Sequence, residues 1–429
     1  MEIYIVQPGD TIRSIAARFN ITPNEIIADN GLRLTNYLMP GQSLIILRPI
    51  KTYTVKPGDT LYSIAKRNNT TIVSLLQNNP DLIQKPYVYA GQQITLEHES
   101  NKLGKIAING YVYPYVQTQD LINTLAYLTT LTIFGYGFTE EGELIEINDE
   151  PLIRMAKYFD VAPIMLFSSI TENGTTSGEL ASYLFNNIEF QNMIIDKLIR
   201  KMKQKGYYGI DIDFEFINPQ DRDAYTAFIQ NITQKMNSQG FTVNVDLAPK
   251  TSPEQKGLLY EAHNYAALGE AANTVLLMTY EWGYTYGPPM AVAPINEVRR
   301  VVEYGVSQIP PQKIYMGIPN YGYDFTLPFQ KGVSRAPSIG NEQAIQIAST
   351  HGSPIQYDEL AQSPYFKYMD SQGREHEVWF EDARSIKAKL ELLHEFNLYG
   401  AGYWNVMRPF AQNWTLVNAL FDIIKIVKK

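Results

Sequence analysis

Between Lys105 and Lys429, short apolar runs alternate with helix-patterned stretches over 325 residues. This alternation limits the fold more than any other feature of the chain. The apolar runs are Ile106–Val112, Leu128–Gly135, Ala162–Ser168, Gly209–Ile217, Thr242–Ala248, Thr274–Tyr280, Lys313–Pro319 and Gly400–Met407. Helical spacing marks Leu180–Lys205, Pro219–Ser238, Ile295–Tyr304, Asp382–Phe396 and Trp414–Val427. Eight strand-sized runs, each followed by a helix, predict an α/β chain folded as a (β/α)8 TIM barrel. Such a barrel needs about 250 residues, so roughly 70 are surplus. The surplus falls at about 325–378, between runs seven and eight. Phe325–Val378 is rich in Pro, Ser, Gly and Gln and shows no long helical pattern. It is expected to form a small α+β insertion on the C-terminal face of the barrel, walling one side of a cleft.

The fourth run reads Gly209-Ile210-Asp211-Ile212-Asp213-Phe214-Glu215-Phe216-Ile217. Strand side chains alternate between faces. Asp211, Asp213 and Glu215 therefore share one face, and Ile210, Ile212, Phe214 and Phe216 share the other. In a barrel the apolar face packs on the outer helices. The acids then rise in tiers through the interior, with Glu215 at the C-terminal mouth, where barrel active sites lie. Three crowded carboxylates repel, so at least one is expected to stay protonated near neutral pH. Two plainer readings stand beside this one. An acidic strand face is often merely solvated, and Asp and Glu also suit calcium or magnesium. Burial of barrel strands on both faces weighs against the first.

The N-terminal quarter is an internal repeat. Tyr4-Ile5-Val6-Gln7-Pro8-Gly9-Asp10-Thr11-Ile12 recurs as Tyr53-Thr54-Val55-Lys56-Pro57-Gly58-Asp59-Thr60-Leu61, at an offset of 49. Asn30 and Asn79 keep that offset, and Gly41-Gln42 and Gly91-Gln92 close the copies at an offset of 50. Each copy reads as a βααβ unit: a strand, a Pro-Gly turn, an Asp that caps the first helix (Asp10, Asp59), a second helix (Asn24–Ala28, Thr71–Gln77) and a closing strand (Ser43–Leu47, Gln93–Leu96). The expected boundaries are 2–48 and 51–97 for the modules, 98–104 for a polar linker and 105–429 for the barrel. The repeat carries ten Lys and Arg against eight Asp and Glu, so the acidic excess of the chain resides in the barrel.

Composition removes several chemistries. With no cysteine there is no disulfide, thiolate metal site or cysteine nucleophile. Five scattered histidines argue against a histidine metal centre, and no cofactor or metal is expected. A net charge of −8 argues against nucleic acid as the main partner. No apolar run approaches the ~20 residues of a membrane span. The opening Met1-Glu2-Ile3-Tyr4-Ile5-Val6 lacks a basic segment and a cleavage site, so no signal peptide is expected there. Thirty tyrosines accord with stacking against sugar faces. The chain is expected to act as a monomer.

The repeat pattern, Y-x-V-x-x-G-D-T-[IL]-x-x-I-A followed by N and by [PA]-G-Q, resembles the LysM module. That resemblance implies binding to N-acetylglucosamine-containing polymers such as peptidoglycan or chitin. Gly209-Ile210-Asp211-Ile212-Asp213-Phe214-Glu215 resembles the D-G-x-D-x-D-x-E signature of glycoside hydrolase family 18. Met278-Thr279-Tyr280-Glu281-Trp282, Gly317-Ile318-Pro319-Asn320-Tyr321-Gly322 and Gly402-Tyr403-Trp404 resemble its conserved strand-end segments. Tyr208 replaces the first Asp of the signature. The resemblance implies Glu215 as general acid and base, Asp213 as partner of the substrate acetamido N–H, Tyr280 as donor to the acetamido oxygen, and Asp211 as tuner of Asp213. It implies Trp404 as the floor of the sugar subsite, with Met278, Thr279, Glu281, Phe216, Asn320 and Tyr321 as pocket residues. The combination of two LysM modules with this barrel is similar to a spore-associated branch of the family that cuts cortex peptidoglycan. A chitinase and a non-catalytic lectin are the alternatives.

Overall fold

The computed structural model describes residues 1–32 and 37–426. Eight parallel strands close into a barrel: β1 (Gly104–Val112), β2 (Thr130–Phe138), β3 (Ala162–Phe167), β4 (Gly209–Ile212), β5 (Thr242–Leu247), β6 (Thr274–Leu277), β7 (Ile314–Pro319) and β8 (Gly400–Trp404). Each pairs with the next, and β8 pairs with β1 through Gly400↔Ala107 to Tyr403↔Gly110. Apolar runs such as Ala162–Phe167 and Ile314–Pro319 are buried along their whole length, as strands covered on both faces must be.

Several boundaries differ from the sequence reading. The fourth strand stops at Ile212, so Asp213 to Ile217 lie beyond the ladder. The single helix expected over Leu180–Lys205 is two, Gly178–Asn186 and Ile188–Lys205; Asn187 breaks the run because its side chain caps Phe190 N–H at 3.0 Å. The helix expected over Trp414–Val427 spans Ala411–Leu420 and gives way to a strand, Phe421–Ile423. The start of β1 projects past its pairing with β8, and this projecting backbone takes Phe421–Ile423 as a parallel neighbour. Val427 lies outside the described residues.

The first N-terminal module has the expected βααβ order, the second adds a short third helix, Asp81–Gln84, before its closing strand, and in both the first helix is capped differently from the expectation. Thr11 and Thr60 are the N-caps, each accepting from a Ser N–H three residues on. Asp10 and Asp59 instead close the turn before the helix. Asp10 accepts from Tyr4 O–H at 2.6 Å and Gln7 N–H at 2.8 Å, and Asp59 from Tyr53 and Lys56 at 2.8 and 2.9 Å. Asn30 and Asn79 tie the second helix to the closing strand through paired backbone bonds to Ile45 and Thr95.

The insertion is a five-stranded sheet running from Gly322–Thr326 to Glu375–Trp379, wider than the expected 325–378. It carries an eleven-residue helix, Asn341–His351, where no long helix was expected. That helix packs Ala344 and Ala348 against Phe366 and Phe380. Its apolar period is short, which hid it among polar neighbours.

The modules are packed onto the barrel. Met39 of the first module enters the apolar cluster of the insertion. Ile355 N–H donates to Pro40 O at 2.9 Å, and Gln412 donates to Ser43 O at 2.7 Å. Gly41, at φ 84°, lies so close to the insertion that a Cβ there would sit 1.9 Å from Ile355 O, so no other residue fits. The second module shares one apolar core with the barrel, and Gln77 donates to Ala126 O at 2.9 Å. The stretch expected as a polar linker is held as well, with Leu103 N–H donating to Leu420 O at 2.7 Å.

Asp29 sits in this junction, 6 % exposed, beneath Thr415. Burial, reinforced by Glu25 and Asp81, raises its carboxyl to about 8. The unfolded chain loses that proton near pH ~4, the ordinary aspartate range. The stabilising contribution is therefore complete below about pH 4 and is lost as pH rises toward 8, at roughly 1 kcal/mol per unit. Asp29→Asn is expected to flatten the fall in melting temperature between pH 5 and 8. A variant that follows the wild-type curve throughout would show that Asp29 ionises freely in the folded protein.

Candidate active site

The acids of the fourth run occupy three levels. Asp211, within β4, is buried in the barrel interior. It accepts from Tyr111 O–H of β1 at 2.8 Å and Asn244 Nδ2 of β5 at 2.7 Å. Burial raises its pKa, and these donors oppose the rise. Asp213 comes directly after the strand, its N–H donating to Phe167 O at 3.1 Å. Its Oδ1 is buried without a hydrogen-bond partner. Burial pushes its carboxyl well up, and the charges of Glu215 and Asp211 add to the effect. Glu215 opens to the cleft, yet enough protein surrounds its carboxyl that desolvation raises its pKa, with Glu281 adding repulsion. The set is thus a graded stack of carboxyls biased toward the protonated form, with its outermost member accessible. It is suited to proton donation at near-neutral pH.

The local sequence explains the stack. Ile210, Ile212 and Phe214 are buried on the helix side, where Phe214 meets Phe167, Phe185, Tyr225 and Phe228. That anchor forces the intervening acids inward. Phe216 was expected to continue the apolar face. It does not, because the ladder has ended: its φ is 54° and its side chain is 52 % exposed.

Around the acids lies an aromatic floor. Trp404, at the end of β8, is half-buried with Tyr111, Tyr113 and Phe134 at 5.7, 5.9 and 5.8 Å between ring centroids. Tyr115 stacks on Tyr113 at 5.3 Å and is largely exposed. Tyr113 faces Asp213 and Glu215; its hydroxyl is raised to about 12, chiefly by burial. Tyr280 is turned toward Asp246, Asp213, Glu215 and Glu281, and burial foremost holds its hydroxyl protonated. Met278 packs with Tyr111 and Trp404 under this floor.

The insertion supplies the facing wall. Tyr321 donates to Glu281, and Tyr323 donates to the same carboxylate at 3.0 and 3.2 Å. Glu281 is thereby fixed beside the acid stack at φ 68°. Thr279 and Asn320, expected to line the pocket, are buried at the ends of neighbouring strands. Thr279 is fully buried and donates to Gly317 O at 2.7 Å. Asn320 is 2 % exposed and donates to Asn405 O and Arg408 O at 3.0 and 2.9 Å, bracing the segment after Trp404. Both sit where neighbouring strand ends need side-chain donors to satisfy backbone carbonyls.

Tyr111, Tyr113, Phe134, Asn244 and Asp246 were not singled out from the sequence. Asp246 is the clearest omission: Thr242-Val243-Asn244-Val245-Asp246-Leu247 alternates polar and apolar residues as β4 does, and that alternation was the available signal.

Comparison with known proteins agrees with this geometry. The family model "Glycosyl hydrolases family 18" matches residues 108–408, and the LysM domain matches 4–47 and 53–97. A "Cortical fragment-lytic enzyme" of Bacillus subtilis (strain 168) is 39 % identical, with 99 % of each chain covered. The protein of the same name from Bacillus anthracis is 37 % identical, again with 99 % of each covered. The crystal structure of the Bacillus cereus spore cortex-lytic enzyme SleL superposes with a TM-score of 0.84 at 36 % identity, covering 100 % of this chain and 99 % of that one. With the acid stack at the mouth of the barrel and two LysM domains packed on its flank, this chain belongs to the glycosyl hydrolases of family 18.

Proposed function

We propose that the protein is a retaining, substrate-assisted N-acetylglucosaminidase that cleaves spore cortex peptidoglycan or its fragments during germination. The observation that carries this reading is the unpartnered, buried Oδ1 of Asp213, held between Asp211 below and the open Glu215 above. A substrate amide N–H would satisfy that oxygen. A single outer acid also fits chemistry in which the second carboxylate is replaced by the substrate's own acetamido group. Glu215 protonates the glycosidic oxygen. The acetamido carbonyl oxygen attacks C1 as the glycosidic bond breaks, giving an oxazolinium ion. Asp213 accepts the acetamido N–H and balances the positive charge, and Tyr280 donates to the acetamido oxygen. Glu215 then takes a proton from water, which opens the ion with net retention. Trp404 lies under the sugar, with Phe216 and Glu281 at the rim of the cleft.

The cortex assignment is supported by the names of the full-length relatives and by the paired LysM domains, which place glycan-binding units on the same chain. Tyr87 and Tyr89 of the second module, 69 % and 72 % exposed, offer aromatic faces to such a glycan. Incubation with purified cortex fragments and, separately, with chitin oligomers, followed by mass analysis of the products, tests the assignment. Cleavage on the reducing side of N-acetylglucosamine in cortex fragments is expected. Cleavage of chitin oligomers alone would make the protein a chitinase.

Removing residues 1–104 is expected to weaken retention on insoluble peptidoglycan while leaving hydrolysis of small soluble fragments. The melting temperature should also fall, because the truncation bares Tyr127 and Trp414, now 1 % and 5 % exposed. Pull-down and thermal melts read the two effects. Undiminished retention by the truncated barrel would remove the anchoring role of the modules.

A further inference from the structure

Beside the acid stack, on the neighbouring strand, lies a fourth carboxyl that the proposed mechanism does not use. Asp246 of β5 is 3 % exposed in the barrel interior. Tyr111 O–H reaches it at 2.8 and 3.1 Å and reaches Asp211 at 2.8 Å, so one hydroxyl serves both acids. Asn244 Nδ2 does the same, at 3.1 Å to Asp246 and 2.7 Å to Asp211. The orientation of Asn244 is set from outside, because Thr274 O–H donates to its Oδ1 at 2.8 Å and leaves the NH₂ facing the carboxyls. Asp211 and Asp246 thus face the same two donors across the register of β4 and β5, which sets their carboxyls side by side. Among the described residues, no Lys, Arg or His forms an ion pair with either acid. Two uncompensated anions at this depth would repel strongly. The groups facing Asp246 are Tyr111 from β1, Asp211 and Asp213 from β4 and the turn after it, Tyr280 after β6, and Tyr225 from the helix Arg222–Ser238. None of them is a cation.

We infer that Asp246 is a positioning residue for catalysis: it holds one proton jointly with Asp211, so that a single negative charge lies under Asp213 in the working enzyme. The pair acts through its charge on Asp213 and Tyr280. With one charge below it, Asp213 can ionise and receive the acetamido N–H. As pH rises the shared proton leaves and the pair reaches two negative charges. The added charge holds the proton on Glu215 to higher pH and extends the alkaline limb of activity. An amide at either position caps the pair at one charge.

This inference rests on the reading of Glu215 as the general acid, and the experiment separates the two. The pH dependence of kcat/KM is measured on soluble cortex fragments for the wild type, Asp246→Asn and Asp211→Asn, with melts to confirm folding. Both variants are expected to move the alkaline limb to lower pH, in the same direction and by at least ~0.5 unit, the scale of one nearby buried charge. An Asp246→Asn limb superimposed on wild type, with Asp211→Asn shifted, would reduce Asp246 to a packing residue and overturn the inference. If Asp246→Asn does not fold, Tyr111→Phe removes the donor that both acids share. The second charge then arrives later and the limb moves the same way; an unmoved limb in that variant overturns the inference equally. Full activity of Glu215→Gln would instead remove the catalytic reading itself.

Discussion

Glu215→Gln is expected to lower turnover on cortex fragments by at least ~10²-fold, the lower end for loss of a general acid. The amide keeps the shape of the side chain but cannot protonate a leaving oxygen. Because Glu215 lies at the open end of the stack and no hydrogen bond of the fold depends on its carboxyl among the described residues, the melting temperature should stay near wild type. Removing the charge also relieves repulsion on Asp213, so folding has no reason to suffer. Retention on insoluble peptidoglycan should be unchanged, since the LysM domains are distant in sequence from the substitution. Turnover of the variant is measured against the wild type under saturating substrate. A rate within a few fold of wild type would exclude Glu215 as the acid.

Asp213→Asn should be almost as damaging, with an expected loss of ~10²-fold or more in turnover. Its buried oxygen has no protein partner, and in the proposed mechanism the substrate amide supplies one. An asparagine there can still accept a hydrogen bond but cannot balance the positive charge of the oxazolinium ion. The same chemistry predicts that a fragment with unacetylated glucosamine at the cleavage position is not cut, because the internal nucleophile is gone. Mass analysis of the wild-type enzyme acting on acetylated and deacetylated fragments reads this directly. Equal cleavage of both would rule out assistance by the substrate and require a second protein carboxylate, for which Glu281 would be the neighbour to test.

The alternation of apolar runs with helical patterns sufficed for the barrel because both periods are local. Gly209–Phe216 likewise named its own acids, since side chains on a strand must alternate and only one face of this run is apolar. The repeat was legible for a related reason: turn, cap and helix positions recur at fixed spacing. Even there, Thr11 and Thr60 took the cap positions from their neighbouring aspartates, because Tyr4 and Tyr53 claimed those carboxylates across the strand.

Long-range neighbours were beyond that reading. Nothing local in β5 says that Asp246 will share a donor with Asp211, 35 positions earlier; closure of the barrel and the register Asn244↔Asp211 bring them together. Thr279 and Asn320 sit in motifs that suggest the pocket, yet the geometry of neighbouring strand ends turned them to backbone partners. The packing of the modules was equally hidden, since Met39 and Gly41 look like ordinary turn residues until Ile355 approaches. By itself, then, the sequence determined the kinds of element, their order and the acids of the run Gly209–Ile217, because hydrophobic period and side-chain alternation act within a few residues. The tertiary structure alone decided which groups share protons, which face the cleft and how firmly the modules are held, because these depend on contacts made only when distant segments are packed together.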